Sequence, residues 1–72
     1  MSLSINENND VRLIRLKDVI SKTGLPRSTL YRRMKEGLFP LNVSIGENSV
    51  AWVEHEVNDW INDSLKNRKS VK

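Results

Sequence analysis

Apolar positions recur along the chain at spacings that change from segment to segment, and each spacing predicts an element. Arg12-Leu13-Ile14-Arg15 alternates as a short extended segment does. Leu16, Val19 and Ile20 follow at i, i+3 and i+4, which lines one face of a helix. Thr23-Gly24 ends that helix, because glycine accepts the left-handed conformation beyond a C-terminus. Leu25-Pro26 then restarts the chain, and since proline is tolerated in a first helical turn, a second helix is expected from Pro26 or Arg27 to Glu36. Leu30 and Met34 should face the core, and Gly37 and Pro40 close the helix. Two short helices separated by a glycine-containing turn fit a helix-turn-helix, a punctuation that any small helical hairpin shares.

Beyond Pro40 the period changes to two. Leu41-Asn42-Val43-Ser44-Ile45 and Val50-Ala51-Trp52 read as a β-hairpin with the four-residue loop Gly46-Glu47-Asn48-Ser49. Val57, Trp60, Ile61 and Leu65 then restore a helical stripe, with Glu54, Glu56, Asp59 and Asp63 off it, so a third helix should run from about Glu54 to Lys66. Met1 to Asp10 is rich in Ser, Asn and acidic residues with few apolar anchors, and is expected to lack fixed structure. The expected fold class is α+β, mainly helical, with three helices and one β-hairpin. Residues 11–68 form the domain, 1–10 an arm and 69–72 a basic tail.

A chain of 72 residues has room for one small core. It has no cysteine, so neither a disulfide framework nor a thiolate metal site can staple the fold, and a reducing compartment is expected. No apolar run approaches the roughly 20 residues of a membrane span, and the N-terminus lacks a secretory signal pattern. A cytoplasmic chain with no membrane partner is the expectation.

Charge changes the picture more than composition does. The formal net charge is +3, but Arg12 to Gly37 carries eight Lys or Arg against Asp18 and Glu36. Leu38 to Leu65 carries no Lys or Arg and five carboxylates, and the tail adds Lys66, Arg68, Lys69 and Lys72. A basic block of this kind is what a polyanion-binding face requires, although an ordinary solvated surface can look the same.

On the second helix Ser28, Tyr31, Arg32 and Lys35 share one face, with Arg27 and Thr29 at its N-terminal edge. Cationic, hydroxyl and aromatic groups of these kinds contact phosphates and base edges, and recognition helices read bases mainly with their N-terminal residues. Arg27, Ser28 and Arg32 are therefore the candidates for specificity. Arg15 and Lys35 are candidates for phosphate contact. Trp52 and Trp60 could stack on single-stranded bases, but a strand end and an apolar stripe place both in the core. His55 is the only histidine, and its neighbours Glu54 and Glu56 point away from it on a helix, so no metal site is expected. The three glycines are scattered and build no phosphate loop, and no nucleophile, base and metal set converges. The expectation is a protein without catalysis, cofactor or small-molecule substrate.

The order Arg12-Leu13-Ile14-Arg15-Leu16-Lys17-Asp18-Val19, Thr23-Gly24-Leu25, Arg27-Ser28-Thr29-Leu30-Tyr31-Arg32, Met34-Lys35-Glu36-Gly37 and Phe39-Pro40 resembles the AlpA family of phage and prophage regulators. Val50-Ala51-Trp52, Glu54, Glu56-Val57 and Trp60-Ile61 continue the resemblance to about Leu65. It implies a winged helix-turn-helix related to the MerR DNA-binding domain and to phage excisionases, binding double-stranded DNA to regulate prophage or mobile-element genes. Two positions depart from the family pattern. Pro26 stands where Ser is common, which removes a side-chain cap, and the wing loop has no basic residue where many members carry one. Asn48 and Ser49 can still hydrogen-bond to a DNA backbone, whereas Glu47 would be repelled by it.

Two other functions use the same residues differently. An excisionase-type directionality factor would bend DNA with the same helix, beside a recombinase or a second copy of itself. A protein-interaction adaptor would instead use the acidic third helix and an apolar edge.

Overall fold

The computed structural model describes residues 11–68, and the arm 1–10 and tail 69–72 lie outside the described residues. In chain order the elements are β1 (Leu13–Ile14), α1 (Leu16–Thr23), α2 (Arg27–Lys35), β2 (Val43–Gly46), β3 (Ser49–Val53) and α3 (Glu54–Lys66). The three helices fall where the hydrophobic pattern places them, and a β-hairpin lies between the second and third.

The helix-turn-helix is shaped by local chemistry at each of its ends. Arg15 caps α1 from an extended conformation, its carbonyl accepting the amides of Asp18 at 2.9 Å and Val19 at 3.1 Å. Asp18 in the first turn and Lys22 in the last both suit the helix dipole. Gly24, at φ 76°, donates its amide to the Ile20 carbonyl at 2.8 Å and turns the chain out of α1. The Thr23 hydroxyl fixes the direction taken next. It donates to the Val19 carbonyl at 2.8 Å and accepts the Leu25 amide at 3.2 Å. Pro26 then enters α2 with no side-chain cap, as its missing hydroxyl requires. At the far end the amides of Gly37 and Leu38 reach back to the carbonyls of Met34 (3.1 Å) and Arg33 (2.8 Å). This is the paired closure of a Schellman motif, with Gly37 at φ 75° as its left-handed residue.

The sheet has three strands in the order β1-β3-β2, antiparallel throughout. The expected extended segment before α1 is thus a strand, pairing Leu13 with Val53 and Ile14 with Trp52. The alternation marks the segment as extended, and its pairing partner appears only with β3 beside it. The hairpin is also tighter than its composition suggests. Gly46 pairs with Ser49, leaving Glu47 and Asn48 as the turn rather than a four-residue loop, and Asn48 takes the left-handed conformation at φ 59°. The register shifts between Ser44 and Gly46, so Ile45 is an extra residue on β2. That strand starts at Val43, two residues later than the alternation of Leu41 implies.

β3 is the central strand, and its Ala51 and Trp52 are fully buried. Ile14, Val19, Leu30, Phe39, Trp52 and Val57 form the core cluster, one residue from each element except β2, with Phe39 from the segment between α2 and β2. Leu16, Ile20, Met34, Trp60 and Ile61 pack around it. Trp60 is half-buried rather than central: it meets Phe39 edge-on at 4.9 Å and donates its indole N–H to the Leu38 carbonyl at 2.9 Å. Leu65, expected on the buried stripe, is 52% exposed in the last turn of α3. Among the described residues no helix is long and apolar enough to cross a membrane.

Candidate nucleic-acid interface

The basic block divides once ion pairs are taken into account. Arg12 Nε lies 3.3 Å and Lys22 Nζ 3.5 Å from the Glu54 carboxylate, and Lys22 also donates to Asn58 Oδ1 at 3.1 Å. These two cations tie β1 and α1 to the start of α3. Arg15, Lys17, Arg27, Arg32 and Lys35 are exposed and form no ion pair among the described residues.

On α2 the burial of Leu30 turns the opposite side outward, so that Ser28, Arg32 and Lys35 are exposed there, and Arg27 is exposed at the first position of the helix. Pro26, Arg27, Ser28 and Tyr31 line an open recess of about 500 Å3 at the N-terminal end of the helix. Arg27 is held there, its guanidinium carbon 5.3 Å from the centre of the Tyr31 ring, a cation–π contact that limits where the side chain points. Tyr31 itself joins face and core. Its ring meets Trp52 edge-on at 6.2 Å, while its hydroxyl accepts a long 3.5 Å hydrogen bond from Asn42 Nδ2. Thr29 is half-buried at the flank.

The remaining expected positions lie on other elements. Arg15 sits at the N-cap of α1, Asn48 at the tip of the hairpin, and Ser49, half-buried, opens β3. No hydrogen bond or ion pair among the described residues links Asn48 or Ser49 to α2. Two side chains beside the face carry chemistry that the sequence reading passed over. Asn42 reaches Tyr31 across a gap of eleven residues, a contact no local pattern signals. Arg33 is half-buried with its Nε unpartnered, and its place three residues after Leu30 is the one hint that it flanks the core. Among the described residues no group of His, Asp or Glu is arranged to hold a metal, and His55 instead lies 3.3 Å from Asp59 one turn on.

A small domain of three helices and a three-stranded antiparallel sheet, with a two-helix turn and a projecting hairpin, is the class these elements define. Residues 12–65 match the family model described as prophage CP4-57 regulatory protein (AlpA), and the chain belongs to that family. It is 40% identical over 58 residues to the uncharacterized protein ORF88 of Enterobacteria phage P4, covering 81% of this chain and 66% of that protein. It is 34% identical over 68 residues to the DNA-binding transcriptional activator AlpA of Escherichia coli (strain K12), covering 86% of this chain and 97% of that one. The chain thus spans just under two thirds of the phage P4 protein and nearly all of the E. coli activator.

Proposed function

We propose that the chain is a sequence-specific double-stranded DNA-binding regulator of prophage or mobile-element transcription, a winged helix-turn-helix of the MerR and excisionase type with α2 as recognition helix. The observation that carries this reading is the exposed face of α2, where Arg27, Ser28, Arg32 and Lys35 stand clear of the ion pairs that occupy Arg12 and Lys22. The likeness to a DNA-binding activator over almost its whole length supports it.

The roles follow from position. Arg27, Ser28 and Arg32 read base edges from the first two turns of α2, and Thr29 and Tyr31 flank them. Arg15 and Lys35 contact phosphates, and Asn48 and Ser49 add neutral hydrogen bonds from the wing. The uncapped amides at the start of α2 favour a phosphate at the same place.

The test begins with selection of bound sites from random duplexes, followed by salt titrations of Ala variants on the selected and random sequences. Arg27→Ala and Arg32→Ala should each cost about 1 to 3 kcal/mol on the selected site and much less on random DNA. If Arg32→Ala weakens both equally, Arg32 belongs to the backbone contacts and readout passes to Ser28 and Tyr31. If neither substitution changes binding, α2 is not the recognition helix and the proposal fails.

A further inference from the structure

A groove of about 610 Å3 runs between α3 and the segment leading into β2, and no residue of α2 lines it. Its floor is apolar, with Trp60 beside Leu41 and Val43, which are 66% and 40% exposed. Its rim is acidic. Glu56, Asp59 and Asp63 line it from one side of α3, at the i, i+3, i+7 spacing that keeps side chains on a common face. No Lys or Arg occurs between Leu38 and Leu65, so nothing within that stretch offsets the carboxylates. Exposed apolar surface rimmed by polar groups is the usual mark of a docking site, and this rim repels phosphate.

We propose that this groove docks a cationic segment of a protein partner, with Lys or Arg against Glu56, Asp59 and Asp63 and an apolar side chain against Leu41, Val43 and Trp60. Charge complementarity selects this occupant: a nucleic acid is repelled by the rim, and a neutral peptide leaves the carboxylates without partners. Glu56 to Asp63 covers about 10 Å of helix, the length of about three extended residues or two helical turns of a bound segment. Asp59 is not withheld by His55, since both side chains are well exposed and such pairs are weak. None of the lining residues lies on α2, so partner and duplex use different side chains.

The full chain is titrated with a short synthetic peptide of alternating Lys and Leu, and with Lys/Ser and Glu/Leu peptides of equal length. Backbone amide shifts and tryptophan fluorescence are followed. The Lys/Leu peptide should shift the amides of Leu41, Val43, Asp59, Trp60 and Asp63, and both other peptides should bind at least about tenfold more weakly. The double variant Asp59→Lys, Asp63→Lys should lose the same factor while keeping its circular dichroism and thermal midpoint. Leu41→Ser, which changes no charge, should lose a similar factor and serves if the double variant does not fold. Equal binding of the Lys/Ser peptide, or shifts scattered outside the groove, would overturn the proposal. So would movement of the same amides with protein concentration alone, which would make a second copy of the chain the occupant.

Discussion

Arg33 poses a question of its own at the scale of single residues. Its aliphatic stem packs at the flank of α2 while its Nε has no acceptor, so it combines apolar cover with an unpaired polar atom. Arg33→Met keeps the stem and removes the charge, and is expected to leave stability unchanged or raise it by up to about 1 kcal/mol in chemical denaturation. A loss of that size would mean the guanidinium is paired in solution. The two tryptophans separate in the same experiment. Trp52, with no exposed surface, should cost about 3 to 5 kcal/mol on truncation to Ala, enough to unfold a domain this small. Trp60 is half-buried, and Trp60→Phe keeps the contact with Phe39 while giving up the hydrogen bond to Leu38, an expected cost of about 1 kcal/mol.

The elements are held in place largely by their ends. Gly24 sits at φ 76° with open space where a Cβ would project, so Gly24→Ala meets no clash and isolates the cost of the backbone conformation. That cost is about 1 to 2 kcal/mol, read as a lower thermal midpoint. Because this turn sets the angle between α1 and α2, DNA affinity should fall by more than stability alone explains, which a titration well below the midpoint tests. Asn48, at φ 59° in the hairpin turn, is the opposite case. Asn48→Gly relieves the left-handed strain while losing a wing hydrogen-bonding group, so stability should hold or rise slightly as affinity declines. An unchanged affinity would remove Asn48 from the interface.

Across the whole molecule, Glu54 connects three elements, meeting Arg12 beside β1 and Lys22 on α1 from the first turn of α3. Arg12 is 70% exposed, so solvent screens much of this attraction, and a double-mutant cycle of Lys22→Met with Glu54→Gln should give a coupling of about 0.5 kcal/mol. Charge is segregated on the same scale, basic on α1 and α2 and acidic on α3. The expected consequence is DNA affinity that falls steeply with salt, with Lys35→Ala and Arg15→Ala each reducing the slope by about one unit while weakening selected and random sites alike. A slope that neither variant changes would take both residues off the phosphates.

The sequence by itself determined the helices, their limits and the face that α2 turns outward, because each depends on spacing and end chemistry within about one or two turns of chain. Gly24, Pro26 and Gly37 mark breaks wherever they stand, and the burial of Leu30 follows from its place among polar neighbours. Contacts between distant segments were decided only by the tertiary structure. β1 is a strand because β3 lies beside it, Asn42 meets Tyr31 because the segment leading into β2 passes that side chain, and Leu65 is exposed although it continues the apolar stripe of α3. The groove of Leu41, Trp60 and Asp63 is of the same kind, since its two walls are separate segments and neither shows a cleft in its own sequence. Local periodicity records which face of an element is apolar; what that face meets depends on packing between segments far apart in the chain.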